Sequence, residues 1–272
     1  MKHDASDGVL RMRVAAWQSR LQGHDPQVHA DVMRRCADEA VDLLVLPECY
    51  FGGMPRTDHD ARAQAIPAPY LPLVDASPGS HPTTVIAGFV ERATRDRLYS
   101  SAAIIRDGRV SAVARKLFPI EPVFTPGETL STYPVADTQI GVVICHDANF
   151  IEPARLLAHA GARVLACPLN NDLRPQVAAQ WATRSRSNLI ARAVENDCWV
   201  IAADVCGRTA ARVGLGATAI VGPDGRVVAQ ADPTREHLLV VDIDIAANSM
   251  LSRWDVHRNP AVFDLWSRAQ TQ

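Results

Sequence analysis

The stretch that decides the fold runs from Ile140 to Pro168, IGVVICHDANFIEPARLLAHAGARVLACP. Its first apolar run, which starts at Thr138, ends in polar residues at Cys145, His146 and Asp147. A short helix follows over Glu152–Ala162, opened by Pro153 and closed around Gly161. Arg163–Pro168 is a second short apolar run, of the kind a buried strand shows. Strand, helical crossover and strand belong to a layered α/β domain.

The pattern extends outward in both directions. Upstream, a strand is expected at 11–18 and a helix at 25–41, with Asp25-Pro26 in cap-then-proline order. Leu43–Pro47 and Thr83–Glu91 read as strands, and Ser100–Lys116 as a hairpin turning at Asp107-Gly108. Downstream come a helix over Gln176–Asn196 and one strand over Cys198–Val205. A hairpin over Ala217–Gln230, turning at Pro223-Asp224-Gly225, and a last strand over His237–Ile245 complete the pattern. The tail from Ala246, with Trp254, Arg258, Pro260 and Trp266, is expected to pack irregularly. No linker or low-complexity run divides the chain, so one domain is expected over 10–272, after a flexible tail at 1–9.

Composition narrows the function. The 272 residues are 47% hydrophobic and 21% charged, with a net charge of −2, which excludes a disordered or coiled-coil chain. Neither sign dominates, so neither nucleic acid nor a membrane surface is expected as a partner. No apolar run is long enough to span a bilayer. The N-terminal segment lacks an apolar signal core, so a cytoplasmic protein is expected. Six cysteines stand at 36, 49, 145, 167, 198 and 206. Without an export signal or a C-x-x-C pair they read as free thiols, mostly core, rather than disulfides or metal ligands.

Three strand ends stand out. LLVLP delivers Glu48, VSAVAR delivers Lys116, and IGVVIC delivers Cys145. Carboxyl ends of strands are where open α/β sheets build sites. Each residue alone has a structural explanation, but acid, cation and thiol together form a complete set for covalent acyl chemistry.

These residues sit in blocks that resemble the carbon–nitrogen hydrolase family, the nitrilase superfamily. The blocks are LLVLPECYFGG, VARKLFPIEPVFTPGE, the Ile140–Pro168 stretch, NLIARAVENDCWVIAADVCG, GPDGRVVAQ and HRNPAVFDL, in family order from about Met12 to Phe263. The resemblance implies a four-layer α-β-β-α sandwich with a Glu-Lys-Cys site that hydrolyses nonpeptide C–N bonds in amides, nitriles or N-carbamoyl compounds. It also implies association through the outer helices into a homodimer or larger homo-oligomer.

The chemistry reads directly from the residue types. Glu48 is the general base, Lys116 stabilises the oxyanion, Cys145 attacks, and the backbone N–H of His146 is the second oxyanion donor. No metal or organic cofactor is required. Glu121 matches the family's accessory glutamate, with Glu128 the competitor. Asn170 and Asn171, after the RVLACP strand, either contact substrate or shape a turn. Cys49 adjoins Glu48 but lies outside the Ile-Cys block. Arg155 and Arg174 are candidates for a substrate carboxylate. An amidase of small amides is the favoured reading. Nitrilase, N-carbamoyl amidohydrolase and a non-catalytic binding member of the fold are its alternatives. A nucleotide-binding α/β protein is disfavoured, because no G-x-G-x-x-G follows the first strand.

Overall fold

The computed structural model describes residues 9–21, 24–72, 81–246, 260, 261 and 264. Of the expected N-terminal tail only Val9 is described, and it opens the first strand. Trp254, Arg258 and Trp266 lie outside the described residues.

Two sheets form the centre. The strands of the first are β1 (Val9–Arg20), β2 (Leu43–Val45), β3 (Thr84–Arg92), β4 (Leu98–Arg106) and β5 (Arg109–Arg115). It also holds β9 (Asp172–Leu173), β11 (Val205–Arg208), β12 (Val213–Leu215) and β15 (His237–Ala246). Their order is β5-β4-β3-β2-β1-β11-β12-β9, with β15 antiparallel to β1. The second sheet holds β6 (Thr132–Val135), β7 (Thr138–Val142), β8 (Val164–Pro168), β10 (Trp199–Ala203), β13 (Ala219–Val221) and β14 (Val227–Gln230), ordered β14-β13-β10-β8-β7-β6. Among the described residues, the sheets are flanked by α1 (Pro26–Asp38), α2 (Asp58–Gln64), α3 (Ile151–His159) and α4 (Pro175–Asn196). The Ile140–Pro168 stretch is the expected unit, with β7 and β8 parallel across α3.

Strand alternation produces the layers. On β1, Met12, Val14 and Ala16 meet Ile140, Val142, Val164 and Ala166 of the facing sheet. Ala15 and Trp17 point the other way, onto Val32 and Cys36 of α1. On β8, Leu165 and Cys167 turn outward to Leu157 of α3 and to Leu189 and Ala193 of α4. The architecture is therefore the α-β-β-α sandwich. Each fully buried Val, Leu or Ile contributes roughly 1.5–3 kcal/mol. Helix α1 starts where expected: the Asp25 carboxylate accepts the N–H groups of Gln27 and Val28, and Pro26 needs no donor partner.

The run Cys198–Val205 is not one strand. Its first part is β10 of the second sheet, and after Asp204 the chain continues as β11 of the first. Asp204 is fully buried, and its carboxylate accepts the N–H of Asn171 at 2.9 Å, Asn171 Nδ2 at 3.0 Å and the N–H of Ala217 at 2.9 Å. Its own N–H donates to Thr218 Oγ1. These bonds replace the ladder partners lost where the chain changes sheet. The edge strand β6, which the hydrophobic pattern did not mark, carries Pro134 where no ladder donor is needed. Among the described residues, no helix is long and apolar enough to cross a membrane.

Candidate active site

The acid arrives on a turn that only glycine allows. Beyond β2, the Pro47-Glu48-Cys49 turn rests on Gly88 of β3. A Cβ at Gly88 would lie 2.4 Å from Pro47 O and 2.5 Å from Cys49 N and Glu48 Cα. Cys49 itself is in the left-handed region at φ 51°. The other sheet grips the same turn: Glu48 N–H donates to Leu169 O at 3.0 Å, and Asn170 Nδ2 donates to Glu48 O at 3.0 Å.

Lys116 follows β5 directly, and its N–H donates to Ser100 O on β4. Lys116 Nζ lies 2.7 Å from Glu48 Oε1, and Ser100 Oγ donates to the same oxygen at 2.8 Å. Lys116 is 2% exposed and Glu48 1%. Burial works against the Lys116 ammonium, yet Glu48, Cys145 and Glu121 hold its pKa above the ordinary lysine value.

Cys145 does not end a strand in the simple sense. Strand β7 stops at Val142, and Cys145 opens a 3-10 turn over Cys145–Asn149 with φ 44°. A non-glycine residue in this region is strained, a condition common at functional positions. The residue as a whole is only partly exposed. Burial and the Glu48 carboxylate push its pKa well up, while Lys116 and the backbone N–H of Asn170 oppose them.

One cavity of about 300 Å³ is lined by all six candidates: Glu48, Lys116, Glu121, Cys145, His146 and Asn170. Three of them present buried oxygens with no hydrogen-bond partner among the described residues: Glu48 Oε2, Glu121 Oε2 and Asn170 Oδ1. Burial, Lys116 and Arg184 lower the pKa of His146. Its Nδ1 lies 2.8 Å from Asn149 Nδ2. Of the competitors, Glu128 is exposed and Cys49 is core, and neither lines this cavity. Arg155 reaches the carbonyl of Glu195, and Arg174 precedes α4, so neither expected arginine is at the cavity.

Sequence reasoning missed two features. Asp147, 2% exposed, accepts the N–H groups of Leu117 at 3.1 Å and Phe118 at 2.8 Å, tying the chain after Lys116 to the Cys145 turn. Burial raises its pKa to about 6, against the pull of those two N–H donors. Its position two residues after the thiol was the only available signal. Arg56, Asp172 and Arg212 also line the cavity: Arg212 Nε donates to Asp172 Oδ1 at 2.9 Å and Arg56 pairs with Asp172 Oδ2. These three residues are too far apart in sequence to form a motif.

A sandwich whose facing sheets bring an acid, a lysine and a thiol into one cavity defines a class of hydrolase fold. The chain belongs to the carbon-nitrogen hydrolase family, whose sequence model matches residues 14–249. It is 29% identical over 272 aligned positions to a protein of Pseudomonas protegens named "Hydrolase in pqqF 5'region", covering 94% of this chain and 92% of that one. It is 28% identical to the human omega-amidase NIT2 over 229 positions, 78% of this chain and 80% of the relative. The crystal structure of an amidase from Nesterenkonia sp. superposes with a TM-score of 0.69 at 21% identity, over 94% of this chain and 96% of that one. That likeness shows the fold.

Proposed function

We propose that this protein is an amidase that cleaves small primary amides through an acyl-enzyme on Cys145. The observation that carries this reading is the set of buried, donor-less oxygens of Glu48, Glu121 and Asn170 on the cavity that Cys145 lines. Buried acceptors without donors are costly, roughly 1–3 kcal/mol each. The –NH2 of a primary amide brings two N–H donors to such a site, whereas a nitrile brings none. The omega-amidase relatives support the same reading.

The proposed steps follow from the geometry. Glu48 Oε1 is occupied by Lys116 and Ser100, which leaves Oε2 to take the thiol proton. As the Cys145 sulfur bonds to the amide carbon, negative charge develops on the carbonyl oxygen. Lys116 and the backbone N–H of His146 stabilise it; that N–H stands at the start of a helical turn, where it has no partner within the turn. Glu48 then gives its proton to the leaving nitrogen, the C–N bond breaks and ammonia departs. Water, deprotonated by Glu48, attacks the thioester and frees the carboxylic acid and the thiol. Glu121 orients Lys116 and the substrate nitrogen, and Asn170 holds the Glu48 turn while its Oδ1 meets the substrate.

A cytoplasmic location and a homodimer or larger homo-oligomer belong to the same proposal. Ile151 and Leu156 of α3, with Val177 and Val194 of α4, leave apolar side chains exposed on the outer helices, which favours self-association.

The test is a panel of matched amides, nitriles and N-carbamoyl compounds, read by ammonia release and by the mass of the intact protein. An acyl adduct on Cys145 from amides is expected. Turnover of nitriles in preference to the matched amides would overturn the reading.

A further inference from the structure

We propose that the ion pair between Glu91 and Arg115, which lies outside the cavity, fixes the register of strand β5 and so positions Lys116 for catalysis. This rests on the reading of Lys116 as the cation that serves the thiol and the oxyanion, and goes beyond it to what holds that cation in place.

Lys116 hangs on a one-sided support. Among the described residues β5 is the edge strand of its sheet, bonded to β4 alone. Its ladder is also irregular: Ile105 faces Val110, Ile104 faces Ala112, and Ser111 is left over as a bulge. The last pair of the ladder is Ser101 with Arg115, and Lys116 is the next residue. Successive residues of a strand face opposite sides, so a slip of one residue would turn Lys116 away from Glu48 and bring Arg115 toward it.

The two faces of β4 and β5 carry the same three kinds of group. On the cavity side, Ser100 Oγ at 2.8 Å and Lys116 Nζ at 2.7 Å both donate to Glu48 Oε1. On the other side, Ser101 Oγ donates to Glu91 Oε2 at 2.8 Å. Arg115 donates to the same carboxylate twice, from Nε to Oε2 at 2.8 Å and from Nη2 to Oε1 at 2.7 Å. Glu91 belongs to β3, so Arg115 reaches across β4 to the strand beyond it. On the way its guanidinium lies 4.1 Å from the ring centroid of Tyr99, the β4 residue paired with Glu91. Glu91 is buried with both oxygens engaged, and the planar fork of the guanidinium fits it in one register. Neither Glu91 nor Arg115 lines the cavity. Ser100 links the two faces: its carbonyl accepts the Lys116 N–H at 2.9 Å, while its hydroxyl holds Glu48. Fixing β5 from the outer face thus fixes the Lys116 backbone on the inner one. An ion pair kept for stability alone could be exchanged for apolar side chains of similar volume at little cost. One kept for register could not, because apolar contacts have no direction.

The experiment uses Glu91→Gln, which keeps the shape, and the double variant Glu91→Met/Arg115→Met. The double variant leaves no charge unpaired and carries the test if Glu91→Gln does not fold. Three quantities are read for each: kcat and KM on the best primary amide, the pH profile of Cys145 alkylation by iodoacetamide, and the melting temperature. The alkylation profile of Lys116→Gln is the reference. A displaced Lys116 should lower kcat about 10- to 100-fold, with KM changed far less. It should also move the alkylation profile up in pH, toward that of Lys116→Gln. In the double variant both changes are expected with a melting temperature near that of the wild type. In a folded variant, a wild-type kcat, or a lowered kcat with an unmoved alkylation profile, would overturn the inference. A double variant that fails to fold would overturn it too, since the pair would then serve stability. The alkylation profile needs no substrate, so it decides the matter even if no amide is turned over, an outcome that would sink the amidase reading alone. A Lys116→Gln profile identical to the wild type would remove Lys116 from the thiol, and the inference with it.

Discussion

Lys116 and Glu48 meet through only one carboxylate oxygen: Nζ takes Oε1 at 2.7 Å, and Oε2 is left buried without a partner among the described residues. Ion pair and proton acceptor thus occupy different oxygens of one side chain. Glu48→Gln keeps the shape and removes proton transfer, with an expected loss of roughly 10²–10⁴ in rate. Single-turnover mass spectrometry should show a smaller loss on an activated ester than on the amide, because the ester's leaving group needs no proton. Equal losses would count against Glu48 as the donor to the leaving nitrogen. Lys116→Gln should lower kcat by about 10²–10³ through the lost oxyanion donor, and Lys116→Arg should not restore it.

The thiol prediction concerns pH. Burial and Glu48 raise the Cys145 pKa, and Lys116 opposes them. Alkylation of Cys145 by iodoacetamide should therefore keep accelerating above the pH at which an ordinary thiol has levelled off. Removing the opposing cation in Lys116→Gln should move that profile further up in pH. An unmoved profile would show that Lys116 does not act on the sulfur. Cys145→Ala should abolish turnover, while Cys49→Ala, which alters a core position outside the cavity, should retain most of it.

Gly88 makes a steric prediction. A methyl group there would collide with backbone atoms of residues 47–49, which cannot rotate away. Gly88→Ala should cost about 1–3 kcal/mol by overpacking and should reduce kcat far more than a surface Gly→Ala change. Chemical denaturation and kinetics on one preparation would check both. A variant with wild-type kcat would show that the Glu48 turn can shift without consequence.

Asp147 has a folded-state pKa of about 6, above its ordinary 3.8. Between those values the folded protein binds more protons than the unfolded chain, so this group's contribution to stability is full below about pH 4 and is lost as pH rises through 6. The shift corresponds to at most about 3 kcal/mol. Denaturation of wild type and Asp147→Asn across pH 4–7 should show the wild type losing stability relative to the variant as pH rises. A constant difference would remove Asp147 from the account.

The sequence made the catalytic trio legible because each member ends a short apolar run, and the sheets converge at those ends. Glu121 was separable from Glu128 only in three dimensions, since both lie in the same loop-rich stretch. The sheet change at Asp204 was hidden because a single Asp between Ala203 and Val205, with no Gly or Pro beside it, does not mark a turn, and the chain crosses by side-chain bonds to Asn171 and Thr218. The Arg56–Asp172–Arg212 cluster was illegible for a simpler reason: Arg56 and Asp172 are 116 residues apart, and Arg212 lies 40 beyond.

The Asp204 crossing also constrains how the molecule can move. One continuous segment is stitched into both sheets, and its carboxylate is bonded to the residue that follows Asn170 and to the segment that precedes β13. Sliding one sheet over the other would tear those bonds in a dry interior. The walls of the cavity therefore behave as a rigid frame. Passage of substrate and ammonia falls to the rim, where Met54–Arg56 and Ile120–Glu121 lie on loops free of that stitch.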